Sequence, residues 1–111
     1  MISIRRGEIW WVDFSASIAG EIKKTRPAVI ISNNYSNELL NRVQIIPLTS
    51  KVDKCYPCES YVLIDGKKSK AMADQIMTVS KERLRSKITT ASDDDIKAIE
   101  RAIKIQLSLI F

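Results

Sequence analysis

Short apolar runs alternate with polar clusters along most of this chain, and the runs have the composition of strands. Residues 8–14 (Glu-Ile-Trp-Trp-Val-Asp-Phe) are dense in aromatic and β-branched side chains and predict a first strand, with Gly7 suited to a tight turn ahead of it. Residues 15–24 have lower β-propensity and predict a long, mobile surface loop hinged at Gly20 and charged at Glu21, Lys23 and Lys24. Pro27 to Ser32 predicts a second strand, with Arg26 at its mouth. Pro27 fixes its own φ and drives Arg26 toward extended backbone, so the guanidinium is positioned before any ligand arrives. A turn cluster over Asn33–Asn37 and one helical turn over Asn37–Asn41 lead to a third strand, Val43 to Ser50. Pro47 lacks a ladder donor and points to an edge or a bulge in that strand.

Beyond a loop at residues 51–57, Tyr61 to Asp65 predicts a fourth strand, and Asp65-Gly66 marks a turn suited to a hairpin. Residues 69–79 hold a further strand interrupted by the polar pair Asp74-Gln75. Ser80 to Leu84 predicts a short helical turn, and Ile88 falls in a closing strand. Only the C-terminal segment has helical periodicity. Ser92 is an N-cap, and Asp93, Asp94 and Asp95 lie where the helix dipole favours negative charge. Ile96, Ile99, Ile103, Leu107 and Ile110 recur at helical spacing, beside a second stripe of Ala98, Ala102, Ile105 and Leu109. At about 100° per residue the two stripes cover roughly 200° of the helix circumference. So wide an arc fits a deeply set core helix or, the reading preferred here, a helix shared between the core and a dimer partner. The pattern as a whole predicts a mainly β (α+β) fold: a small barrel or partly open sheet with one C-terminal helix.

Length and composition narrow this further. At 111 residues, 45% hydrophobic and 28% charged, the chain reads as one ordinary globular domain spanning 1–111. Eighteen basic against thirteen acidic residues give a net charge of +5, which suits nucleic acid, an anionic surface or an acidic protein segment. Histidine is absent, which removes the commonest acid–base residue and the commonest metal ligand together. Cys55 and Cys58 form a CxxC pair, but zinc would need two more ligands, and neither His nor further Cys is there to supply them. A strand rather than a helix follows the pair, so both cysteines read as structural, reduced thiols. With no signal peptide and no stretch long enough to cross a bilayer, a cytoplasmic protein without a cofactor is expected.

Three polar pairs interrupt the apolar strands: Thr25-Arg26, Thr49-Ser50 and Asp74-Gln75. Strand ends often carry such residues to satisfy backbone groups. If the strands are neighbours, they could instead converge on a pocket with a guanidinium, hydroxyls and a carboxylate, a set suited to phosphodiester chemistry. Arg26 would stabilise charge at phosphorus, Thr49 or Ser50 would donate to a non-bridging oxygen, and Asp74 could serve as base. Metal-dependent nucleases need clustered carboxylates, and the one acidic run, Asp93–Asp95, is explained by the helix cap. RNA supplies its own nucleophile in the 2′-hydroxyl, so the residue set leans toward RNA over DNA.

An ordered set of short motifs is similar to the MazF/PemK (Kid) family of toxin endoribonucleases from bacterial toxin–antitoxin modules. The motifs are Gly7-Glu8-Ile9-Trp10, Val12-Asp13-Phe14, Gly20-Glu21, Thr25-Arg26-Pro27-Ala28-Val29-Ile30 and Pro47-Leu48-Thr49-Ser50. Tyr56-Pro57, Asp74-Gln75 and Leu107-Ser108-Leu109-Ile110 complete it. The resemblance implies an SH3-like barrel with a C-terminal helix, of the CcdB/Kid/MazF kind, working as a homodimer. It further implies metal-independent cleavage of single-stranded RNA to 2′,3′-cyclic phosphate and 5′-hydroxyl ends, and an acidic antitoxin (MazE/PemI-like) whose tail covers the RNA groove. The family's catalytic arginine falls on Arg26 and its threonine on Thr49, while Glu21 matches an acidic loop residue that some members use. Lys23, Lys24, Thr25, Ser50 and Gln75 are the expected RNA contacts. Met72 and Met77 stand where many members carry basic residues, which leaves Arg26 as general acid and charge stabiliser and the base as Asp74, Glu21 or neither.

Two other functions fit the same fold class. A gyrase poison of the CcdB kind depends on a tryptophan near the C-terminus, whereas both tryptophans here are Trp10 and Trp11. A non-catalytic SH3-like module binding RNA or an acidic peptide is the other, since fold does not fix function.

Overall fold

The structure is a computed structural model and describes residues 3–15 and 24–109. Among these residues seven antiparallel strands form one curled sheet: β1 (Glu8–Asp13), β2 (Thr25–Ile30), β3 (Arg42–Thr49), β4 (Glu59–Ile64), β5 (Lys67–Met72), β6 (Met77–Ser80) and β7 (Leu84–Thr90). The order across the sheet is β4-β5-β3-β2-β1-β7, with β6 also paired to β3. Helix α1 (Asn34–Leu39) links β2 to β3, and α2 (Asp93–Gln106) follows β7. The mainly β fold with a C-terminal helix is therefore present as a half-barrel.

Strand alternation sorts the apolar residues into two layers. Trp10 and Val12 of β1, Ala28 and Ile30 of β2, Val43 and Ile45 of β3 and Val79 of β6 form one buried cluster. Their neighbours one residue away, Ile9, Val29 and Ile46, join Leu48, Ala71, Ala73, Ile99 and Ala102 in the other, which α2 covers. Because side chains point alternately to opposite faces, β1, β2 and β3 feed both layers. The first layer fills the concavity of the sheet, and the second lies under the helix.

The expected elements are present with shifted bounds. β2 starts at Thr25, so Arg26 lies inside the paired strand, opposite Val12, rather than at its mouth. Extended backbone at Arg26–Pro27 lets the β1 ladder continue past the apolar run. Helix α1 begins three residues earlier than expected, because the Asn33 side chain caps it by accepting from the Ser36 N–H at 2.8 Å. β3 is central rather than an edge. Pro47 fits there because β3 changes partner at this point, from β6 (Arg42–Ile45) to β5 (Leu48–Thr49), and the residue between needs no donor on that side. Asp65 and Gly66 form a two-residue hairpin loop between Ile64 and Lys67, both at positive φ, as a type I′ turn requires.

Asp74-Gln75 breaks the β5–β6 run as a 3-10 turn, Ala73–Gln75, and a second such turn, Lys81–Arg83, separates β6 from β7. In α2, Ser92 caps the Asp95 N–H at 3.1 Å, and Asp95 Oδ2 accepts from the Leu63 N–H of edge strand β4 at 3.0 Å. The helix packs on β4 and on the Ala73–Gln75 turn, with Ile99 and Ala102 buried. Ile105, Leu107 and Leu109 remain exposed, and Ile110 lies outside the described residues. Both cysteines are free. Cys58 is half-buried, but Cys55 is exposed, which corrects the packing role expected of it: the β3–β4 connection turns its side chain outward. Among the described residues no helix is long and apolar enough to cross a membrane.

Candidate RNA-cleavage site

The concave layer ends in polar residues on two strands, β2 and β3. On β2 the face that carries Ile30 and Ala28 continues to Arg26 and then Lys24, because alternate residues share a face. On β3 the same face runs Val43, Ile45, Pro47, Thr49. The β2–β3 ladder runs from Ile30–Ile45 to Ala28–Pro47, and Arg26 and Thr49 each lie two residues beyond its last pair, at the same end of the two strands. Arg26 is exposed and Thr49 half-exposed. The Thr49 hydroxyl oxygen accepts from the Lys51 N–H at 3.2 Å, which leaves its own proton to donate elsewhere.

Arg26, Lys24 and Gln75 line one cleft of about 200 Å³, with Phe14, Pro47 and Met77 as its apolar part. Two of the three expected polar pairs thus contribute to it directly. Gln75 is carried by the 3-10 turn that α2 supports through Ala73, and its Nε2 lies 3.5 Å from Met72 Sδ. Asp74, Thr49, Thr25 and Ser50 do not line this cleft. Asp74 is exposed on the same turn, one residue from Gln75. Glu21 and Lys23 lie outside the described residues. A second cleft of about 340 Å³ shares Phe14 and Met77 with the first and continues along β6 to Arg83. The two make one groove with cationic side chains at Lys24, Arg26 and Arg83.

The described ends of the 15–24 segment are pinned beside this groove. The Phe14 N–H donates to the Lys24 carbonyl at 2.8 Å. Arg83 Nη1 donates to the carbonyls of Asp13 (3.2 Å) and Ser15 (2.7 Å). Asp13 accepts from the Ser15 hydroxyl (2.6 Å), the Ser15 N–H (2.9 Å) and Arg85 (2.7 Å). The Ser15 hydrogen bonds and Arg85 outweigh the effect of burial and hold the Asp13 carboxyl down at about 2. Asp13 is therefore a fixed anion and an unsuitable base. Sequence reasoning missed Arg83 and Asp13 as supports of the groove. Both bonds span about 70 positions of chain, and no local pattern encodes them.

Glu8 plays a similar part at the other end of β1. Burial pushes its carboxyl up, but the Arg5 N–H, the Trp10 indole and Lys87 bring it below its ordinary value. Among the described residues no three His, Cys, Asp or Glu side chains are grouped to hold a metal ion. What the groove offers chemically is cations and amides for a phosphate, next to an apolar surface for a base.

The family described as PemK-like, MazF-like toxin of type II toxin-antitoxin system matches residues 5–107. Endoribonuclease MazF9 of Mycobacterium tuberculosis is 33% identical, covering 96% of this chain and 98% of that protein. Endoribonuclease EndoA of Bacillus subtilis is 28% identical, over 96% and 97% of the two chains. A solved mycobacterial endoribonuclease in complex with its cognate antitoxin superposes with a TM-score of 0.83 at 22% identity, covering 97% of this chain and 98% of that one. With its half-barrel, its C-terminal helix and a family match over nearly its whole length, this chain belongs to the PemK-like, MazF-like toxins of type II toxin–antitoxin systems.

Proposed function

We propose that this toxin is a metal-independent endoribonuclease that cuts single-stranded RNA, mRNA above all, and thereby stops translation and growth. The observation that carries the reading is the cleft shared by Arg26, Lys24 and Gln75 at the polar end of the concave layer. The relatives MazF9 and EndoA, both named endoribonucleases, support it. In the reaction the 2′-oxygen bonds to the adjacent phosphorus while the bond from phosphorus to the 5′-oxygen breaks, giving a 2′,3′-cyclic phosphate and a 5′-hydroxyl. Arg26 stabilises the charge that builds on the phosphoryl oxygens and delivers a proton to the leaving 5′-oxygen. Thr49 donates to a non-bridging oxygen. The 2′-hydroxyl proton goes to Asp74 or Glu21, or to solvent. Lys24, Thr25, Ser50, Gln75 and Lys23 hold the flanking RNA.

The chain acts as one domain over residues 1–111, in the cytoplasm, as a homodimer. An acidic antitoxin is its natural partner, because a chain of net charge +5 attracts an anionic peptide that competes for Arg26. The test is incubation of pure protein with a long unstructured RNA in EDTA, followed by mapping of the ends. Discrete cuts with 5′-hydroxyl ends are expected, and Arg26→Ala should lower the rate by about 10³-fold or more while the variant stays folded. Full cleavage by Arg26→Ala, or intact RNA with folded wild type, would overturn the reading. A gyrase assay would then follow.

A further inference from the structure

Ladder pairing holds the backbone at Arg26 from one side only. The β2–β3 ladder stops at Ala28 and Pro47, whereas the β1–β2 ladder continues through Val12–Arg26 to Asp13–Thr25. One further bond extends it, from the Phe14 N–H to the Lys24 carbonyl at 2.8 Å. The place of Arg26 therefore depends on the end of β1. That end has no ladder on its far side, because β1 pairs with β7 only as far as Val12 and Leu84. Strand ends of this kind fray readily, and a shift of about 1 Å in a catalytic group can cost about 10²-fold in rate.

Arg83, the residue before Leu84, takes over where that ladder stops. Its Nη1 donates to the Asp13 carbonyl at 3.2 Å and the Ser15 carbonyl at 2.7 Å, one on each side of Phe14. Arg85 grips Asp13 by its side chain, with Nη2 2.7 Å from Oδ2, and its Nη1 donates to the Glu82 carbonyl at 2.7 Å. The Lys81–Arg83 turn and the start of β7 are thus both tied to β1 beyond Val12. Arg83 is half-buried, and a hydrogen bond from a charged donor is stronger than one between neutral groups. A guanidinium also holds its donors in a rigid plane, which an ammonium on a flexible stem does not.

We propose that Arg83 is a positioning residue for cleavage, holding Arg26 in place through the end of β1 rather than by touching RNA. The proposal rests on the ribonuclease reading, and its test separates the two. Arg83→Lys keeps the positive charge and loses the rigid fork, so it spares attraction to RNA while loosening the grip. Cuts by wild type are mapped first. The rate at a mapped cut is then measured, and Kd is read with a 2′-O-methyl oligonucleotide spanning it. With the fold verified by its thermal midpoint, Arg83→Lys should lower kcat by about 10- to 100-fold and leave Kd within about threefold. Hydrogen exchange at the Phe14 amide should speed up by about tenfold or more, while Val29, inside the β2–β3 ladder, keeps its protection. Added to Arg26→Ala, Arg83→Lys should cost less than about twofold more, because its effect runs through Arg26. A raised Kd with unchanged kcat would overturn the proposal in favour of direct RNA contact. Unchanged kcat and Phe14 exchange, or exchange at Val29 that rises as much as at Phe14, would overturn it too. The full loss repeated in the Arg26→Ala background would show that Arg83 acts independently of Arg26. No cuts by wild type would remove both proposals.

Discussion

Asp13 and Arg26 are offset by one residue across the β1–β2 ladder, and alternation sends their side chains to opposite faces of the sheet. Arg26 extends the concave apolar layer into the groove. Asp13 turns away and clamps Ser15 and Arg85. The carboxyl of Asp13 sits at about 2 in the fold against an ordinary value of 3.8, and a lowered carboxyl stabilises the fold only while it is ionised. Its contribution is therefore complete above about pH 4 and lost as pH falls through about 2. Thermal midpoints of wild type and Asp13→Asn should differ at neutral pH and converge as pH approaches about 2. A gap that stays constant down to that pH would show that ionisation of Asp13 does not contribute. At this scale the sequence was legible for Arg26, because Pro27 and the apolar run behind it set its backbone. It was silent on Asp13, whose partner Arg85 comes from the far end of the sheet.

Among the elements, α2 was the most legible, since cap, acidic first turn and apolar period all agree within one segment. Its task is visible only in the fold. Ile99 is fully buried with Ala73 in the layer under the helix, and Ala73 begins the turn that carries Gln75 into the groove. Ile99→Ala should lower stability by about 2–5 kcal/mol, measured by chemical denaturation. A loss below about 0.5 kcal/mol would mean that the helix does not hold that turn through this contact. Other elements had weaker signals. Helix α1 depends on a single Asn33 cap in a cluster of turn-forming residues, so its start could not be placed by periodicity. β3 carries a proline that ordinarily marks an edge, and only the change of partner from β6 to β5 explains its central place.

For the molecule as a whole, the exposed end of α2 bears on assembly. Ile105, Leu107 and Leu109 form an apolar patch that the chain's own sheet leaves uncovered. A homodimer that buries this patch should sediment as a dimer at micromolar concentration, and Leu107→Lys should shift it to monomer with the fold intact. A monomeric wild type, or a Leu107→Lys dimer of unchanged stability, would place the dimer contact elsewhere.

By itself the sequence determined the strand series, the terminal helix, the Asp65-Gly66 hairpin and the extended backbone at Arg26, because each is written within a few residues as alternation, period, cap or turn chemistry. The tertiary structure decided which polar residues meet. Only the register of β2 and β3 brings Arg26 and Thr49 to the same end of the two strands, and only the curl of the sheet sets Gln75, rather than Asp74, beside Lys24 and Arg26. The reason is physical. Local patterns fix backbone conformation residue by residue, whereas contacts between residues tens of positions apart follow from the packing of whole strands and a helix against one another.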